Sequence, residues 1–278
     1  MRGGGPEGLR LNARARSHGA TISETTTMTE HTMTPITRAF ALLTLMGTTA
    51  GAVAASCEAT SAPTRTPMIA LYTSEGCSSC PPADRWLSQL TARTDIVALA
   101  FHVDYWDYIG WKDRFGDPRN TARQREWARA THTRTIYTPQ ILVNGKDAFL
   151  WRTKDPLAGL DPRPPAQASI TLSAKQGSTG TEVAATASSA AAGRLQLVLA
   201  RYENGHVSEV LEGENHGASL HHDFVVREWD QRPLVAGTPL STTLHFPPAE
   251  RPGGIAAFVE NVETGEVLQA VALPDCTP

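Results

Sequence analysis

The 278-residue chain carries 25 Lys and Arg against 28 Asp and Glu, a formal net charge of −3, with 19% charged residues. That balance suits a soluble globular protein of one or two domains and supplies no basic excess for holding nucleic acid.

Residues 1–32 are rich in Gly, Arg, Ser and Thr and show no apolar periodicity that would bury a core. From Met33 the chain reads MTPITR, then AFALLTLMGTTAGAVA: a short basic region, an apolar region and the small-residue run Ala52-Val53-Ala54. This is the pattern of a cleavable export signal, and residues 1–54 are read as an upstream extension plus that signal. With export starting at Met28 or Met33, the preceding stretch is an over-extended start. The apolar region is short for a membrane span and diluted by small and hydroxyl residues, so no stable span is expected after cleavage. Acylation of Cys57 would favour a large aliphatic residue three positions upstream, where Ala54 stands. The expected location is the periplasm or the outside of the cell.

Four cysteines in an exported chain point to disulfides, which persist in oxidising compartments. Cys77 and Cys80 form a local pair. Cys57 and Cys276 bracket the mature chain and are expected to tie its ends together, the alternative being two unpaired thiols in the tails.

Residues 68–72, MIALY, form a short apolar run closed by a Ser-Glu-Gly turn, as a buried strand does. In PPADRWLSQL the apolar residues Ala83, Trp86, Leu87 and Leu90 fall at i, i+3, i+4 and i+7, and proline suits a first helical turn, so a helix begins just after the cysteines. DIVALAFHV, residues 95–103, reads as a strand covered on both faces. Asp117-Pro118 caps a second helix through RNTARQREWARA, and Thr138-Pro139 leads into a hairpin, residues 140–143 and 146–150, turned by Asn144-Gly145. The order is β-α-β-α-β-β over residues 55–165.

After the proline-rich stretch DPLAGLDPRPPAQ, period-two alternation takes over. Strands are expected at 168–174, 182–188, 195–202, 206–211, 219–228, 240–246, 255–260 and 266–273. Eight short strands without helices argue for a second domain, residues 166–278, built as a small immunoglobulin-like β-sandwich.

The chemistry rests on Cys77-Ser78-Ser79-Cys80. A thiol attacks only as thiolate, and the partial positive charge and unpaired amides of a helix N-terminus favour the anion, which makes Cys77 the expected nucleophile. Cys80, one turn on, would resolve the mixed disulfide that Cys77 forms.

The C-x-x-C-P motif in a βαβ unit, followed by Thr138-Pro139 before a hairpin, resembles the thioredoxin fold. That resemblance implies that Pro139 is cis and lies beside the sulfurs, shaping a substrate groove with Thr138. LYTSEGCSSCPPAD, FHVDYWDYIGWKDRF, YTPQILVNG and GENHGASLHHDFVVREW are similar to the DUF1223 family, which implies an exported bacterial thioredoxin-like protein. The expected architecture is therefore an α/β thioredoxin-like domain followed by the small all-β domain. Two features depart from thioredoxins: no clear final helix follows the hairpin, leaving a sheet face for Trp151 or the β domain to cover, and Ser78-Ser79 differs from the dipeptides of well-known reductants and oxidants.

His102, Asp104, Trp106, Asp107 and Trp111 crowd the end of the second strand, where open α/β sheets bind ligands. They are expected either to form a substrate platform in which His102 or Asp104 moves protons, or to bond local backbone while the aromatics pack a loop. GENHGASLHHDF reads first as an exposed polar strand and loop, since His221 and His222 face opposite ways on a regular strand. Alternatively, Glu214, Asn215 and His222 face the first domain and join the halves. Cys77, Cys80 and His102 are ligand types for copper or zinc, but no second C-x-x-C or H-x-x-x-H supplies a fourth ligand, so no metal and no cofactor are expected, copper being the minor alternative. No Ser-His-Asp set, phosphate-binding loop or carboxylate pair stands out.

The expected function is an exported thiol-disulfide oxidoreductase acting on protein or small-molecule thiols and disulfides. The alternatives are a binding or structural module whose Cys77–Cys80 disulfide is permanent, which a buried Cys77 would favour, and a copper-handling protein.

Overall fold

The computed structural model describes residues 56–276; the expected export signal and the extension before it lie outside the described residues. In chain order the elements are β1 (Ser56–Thr60), β2 (Met68–Thr73), α1 (Pro81–Ser88), β3 (Val97–His102), a 3-10 turn (Asp107–Ile109), α2 (Pro118–Ala130), β4 (Gln140–Val143) and β5 (Lys146–Asp147). There follow β6 (Ala168–Gly177), β7 (Gly180–Ser189), β8 (Leu195–Glu203), β9 (His206–Glu209), β10 (Ser219–His222), β11 (Val225–Leu234), β12 (Leu240–Phe246), β13 (Gly253–Asn261) and β14 (Val267–Pro274).

These strands do not sort into a thioredoxin-like domain and a separate small sandwich. The fold is mainly β, with two α-helices among the described residues, and one mixed sheet of eight strands runs β14-β13-β8-β11-β3-β2-β4-β5 through both expected domains. The expected α/β thioredoxin-like fold followed by an immunoglobulin-like domain is thus corrected. The physical reason lies at β3, whose six residues are all buried and whose free edge needs a partner. β11 supplies it in parallel, with Val225 opposite Ala100 and Ala100 N–H donating to the Phe224 carbonyl at 2.7 Å.

A second, antiparallel sheet, β1-β6-β7-β12, packs on one face of the long sheet. Alternation along the shared strands divides the core. Leu197, Leu199, Ala257 and Val259 face the four-stranded sheet, while Val198, Ala200, Ala256 and Phe258 join Tyr72, Leu99 and Phe101 on the other side. Burying each such large apolar side chain contributes roughly 1.5–3 kcal/mol before entropy is charged. The face left without a final helix is covered in part by Trp151, Leu157 and Leu160.

The sequence signals placed both helices. Asp117 caps α2 by accepting from Arg119 N–H at 2.7 Å, with Pro118 in the first turn. Three strand expectations differ. β1 had no clear pattern of its own and exists by pairing with β6, Cys57 opposite Ala174. The second arm of the Asn144-Gly145 hairpin stops after two residues. The run 219–228 breaks into β10 and β11 at Phe224, whose φ is 57° and whose N–H donates to Asn204 Oδ1 at 2.8 Å.

Candidate functional site

Cys77 and Cys80 are joined in a disulfide with their Cα atoms 5.4 Å apart, in the loop that leads from β2 into α1. Cys80 is the N-cap of α1, and Cys80 N–H donates to the Cys77 carbonyl at 3.1 Å. The helix start differs from expectation in one respect. Pro81 and Pro82 have no N–H, and the amides of Ala83 and Asp84 both donate to the Cys80 carbonyl, so these positions offer Cys77 the helix dipole but no free amide. Both cysteines are buried, Cys77 at 2% exposure and Cys80 at 0%, whereas Ser78 and Ser79 between them face solvent.

Behind the loop lies a buried set of acids and imidazoles. His102, at the end of β3, donates through Nδ1 to Asp113 Oδ2 at 2.7 Å, and the same carboxylate oxygen accepts from Glu75 N–H at 2.9 Å. Glu75 Oε2 accepts from Trp111 Nε1 at 2.7 Å, and its Oε1 stands 3.5 Å from His222 Nε2. The rings of His102 and His222 meet edge to face at 4.9 Å, with Phe115 against both. His102 Nε2, Glu75 Oε1 and both ring nitrogens of His222 are buried without a hydrogen-bond partner in the protein. Asp84 completes the set, buried in α1 one helical turn beyond Cys80.

Burial pushes the Asp84 carboxyl up, although His222 and His102 oppose that shift. Burial alone would also raise Glu75, but the polar groups around it, the nearby His222 imidazole and Ser208 hydroxyl and the Trp111 hydrogen bond, hold it below the usual carboxylate range. Burial acts to lower His102, and the charge and hydrogen bond of Asp113 outweigh it and raise the imidazole.

The structure gathers several of the predicted residues at one place. The Thr138–Pro139 peptide is cis and Pro139 is buried. Trp106 joins it to the cysteine loop: its indole N–H donates to Thr138 Oγ1 at 2.7 Å, while its Cβ lies 3.1 Å from where a side chain on Gly76 would begin. Any residue larger than glycine at 76 would have to push Trp106 aside. Asp104 is placed elsewhere, accepting from the Thr121 hydroxyl at 2.5 Å and so tying its loop to α2. Cys57 and Cys276 form the second disulfide, closing a loop of sequence separation 219.

Sequence reading passed over Glu75, Asp84, Asp113 and Arg152. Asp84 precedes Arg85 and Asp113 stands between Lys112 and Arg114, so in the sequence both look like ordinary charged positions of a helix and a loop, and nothing local marks them as buried. The alternative reading of the His-rich stretch is the one the structure bears out. Glu214 and Asn215 contact the cysteine loop and His222 lies against Glu75, whereas His221 faces solvent. Among the described residues no group of three or more His, Cys, Asp or Glu side chains is arranged to hold a metal ion.

The described residues form a β-rich protein of two packed sheets and a two-stranded hairpin, with one disulfide joining the ends of the described segment and one at the head of a helix over buried acids and imidazoles. The chain belongs to the DUF1223 family, "Protein of unknown function", whose pattern matches residues 68–260. It is similar to a protein from Agrobacterium tumefaciens solved by X-ray crystallography, with 25% identity and a TM-score of 0.55 over 76% of this chain and 94% of that one. None of the curated proteins matches the chain.

Proposed function

We propose that this protein exchanges disulfides with protein or small-molecule thiols outside the cytosol, using Cys77 and Cys80. The observation that carries the reading is the placement of the pair: a disulfide at the head of α1 with the buried, upward-shifted carboxyl of Asp84 one turn beyond Cys80. A buried carboxyl whose affinity for its proton is raised is suited to exchange that proton with a neighbouring thiol. Export is supported by two disulfides, since such bonds persist in oxidising compartments. No helix among the described residues is long and apolar enough to cross a membrane.

In the reducing direction the Cys77 thiolate attacks one sulfur of a substrate disulfide, forming a Cys77–substrate bond and releasing the other substrate sulfur as a thiolate, which takes up a proton. Cys80, losing its own proton, then attacks the Cys77 sulfur. The Cys77–Cys80 bond forms, the second substrate thiol leaves, and two electrons and two protons have passed to the substrate. The reverse sequence oxidises a dithiol. Cys77→Ser is expected to abolish turnover of a disulfide-bonded protein substrate and Cys80→Ser to accumulate mixed disulfides; equal inertness of the wild type and both variants removes the reading.

A second reading, a permanent structural disulfide, is favoured by one observation, the burial of Cys77 at 2% and Cys80 at 0% exposure. A bond no thiol can reach exchanges with nothing.

A further inference from the structure

The loop that carries the buried Cys77–Cys80 disulfide is contacted by the turn between β9 and β10. Residues 213–217, Gly-Glu-Asn-His-Gly, cross to the cysteine loop and take up its backbone groups. The Asn215 side-chain amide donates to the Glu75 carbonyl at 2.7 Å and to the Cys77 carbonyl at 3.1 Å, and Glu214 Oε2 accepts from Ser78 N–H at 3.3 Å. Arg152 Nη2 in turn donates to the Ser79 carbonyl at 3.0 Å. The cysteine loop is thus held by side chains from two distant segments.

The turn itself is built to let go. Gly213 and Gly217 bound it with φ of 72° and 80°, in the left-handed region where glycine is unstrained. Gly213 seats the turn so closely that a Cβ there would lie 3.1 Å from Trp111 Cβ. Between the glycines Glu214 and His216 are exposed, and Leu211 just before them is 68% exposed, so no large apolar side chain anchors the segment. A turn held by a few partly exposed hydrogen bonds opens far more readily than the sheets that carry it.

We propose that residues 213–217 form an autoinhibitory strap that shields the Cys77–Cys80 disulfide from attacking thiols, and that release of Asn215 and Glu214 from the 75–78 backbone exposes it. This rests on the exchange reading above. The strap accounts for a buried yet exchangeable bond: the closed form protects the disulfide, and the open form reacts. A protein partner that displaces the strap thereby reacts faster than a small thiol, which reaches the bond only when the strap opens on its own.

The test uses the mature chain and dithiothreitol as the attacking dithiol. Its thiolate attacks one sulfur of the pair, opening the Cys77–Cys80 bond and forming a mixed disulfide. Its second thiol closes the cyclic oxidised product, and two electrons and two protons end on Cys77 and Cys80. Quenching by alkylation and peptide mass spectrometry follows this pair separately from Cys57–Cys276. Asn215→Asp, which aims a carboxylate at two carbonyl oxygens, is expected to be reduced at least tenfold faster than wild type, Asn215→Ala and Glu214→Ala several-fold faster, and the His216→Ala control at the wild-type rate. Should Asn215→Asp not fold, the two alanine variants carry the same comparison. Wild-type rates in every folded strap variant overturn the strap. Turnover of a protein disulfide, measured on the same samples, separates the two ideas: faster reduction without turnover keeps the strap and removes the oxidoreductase, and turnover with unchanged reduction does the opposite.

Discussion

His102 and Asp113, brought together from the end of β3 and the loop before α2, form a 2.7 Å hydrogen-bonded pair with neither side chain exposed. Asp113 also accepts the Glu75 and Phe115 amides, so this one carboxylate organises the approach to the cysteines. Asp113→Asn is expected to destabilise the fold by about 3 kcal/mol, because it strands a buried imidazole beside a neutral partner. Urea denaturation compared with wild type measures it, and a cost under about 1 kcal/mol would show that the pair is not a mainstay of the loop.

The same pair has a definite pH signature. His102 is raised above its ordinary value of 6.5, so its stabilising contribution is complete below that pH and is lost as the pH climbs toward the folded value. Asp113, where burial would raise the carboxyl but the His102 charge and hydrogen bonds prevail, is held below its ordinary 3.8; its contribution is present above that pH and lost as pH falls through the folded value. The stability gap between wild type and Asp113→Asn is therefore expected to be widest at about pH 4–6.5 and to narrow on either side. A gap that stays flat from pH 5 to 9 would contradict this.

Arg123 of α2 meets Glu260 of β13 through two contacts, 2.9 and 2.6 Å, and its guanidinium lies 5.1–5.6 Å from the ring centres of Phe101, Trp229 and Phe258. It pins the helix to the long sheet across a largely buried surface. Arg123→Ala is expected to cost roughly 3–5 kcal/mol by leaving the Glu260 charge uncompensated, and replacing both with apolar residues to cost much less. A double-mutant cycle reads the coupling, and additive effects would show the pair acts independently.

Joining Cys57 to Cys276 restricts nearly the whole described chain when unfolded. Replacing both with Ser is expected to lower stability by about 2–5 kcal/mol, seen as a lower Tm, while leaving the chemistry of Cys77 and Cys80 unaltered. An unchanged Tm would mean that β1 and the C-terminal end are already held by their sheet and core contacts.

The local elements were legible where the sequence carries its own periodicity. Met68, Ala70 and Leu71 announced β2, the Ala83-Leu87-Leu90 spacing announced α1, and the Asp117-Pro118 cap marked the start of α2. What composition could not convey was strand partnership. Nothing local to Val225 says that it will lie beside Ala100, more than a hundred residues earlier, and that pairing turns two imagined domains into one sheet. Within the candidate site, Cys77 and Cys80 stand out by their close spacing, whereas the fold brings Trp106 and Thr138 to them from far along the chain. Glu75, Asp84 and Asp113 acquire their character only from burial, and Asn215 only from the hairpin that delivers it, so their roles follow from the fold.

On the proposed reading, Cys77–Cys80 is an exchangeable bond rather than a staple. Equilibrating the mature protein in graded thiol buffers and counting alkylated Cys77 and Cys80 by mass spectrometry tests it most directly. The account predicts reversible, two-electron behaviour with a midpoint of roughly −120 to −270 mV, the span of working oxidoreductases. A pair that stays oxidised in buffers poised below about −300 mV would be a structural disulfide and would contradict the account.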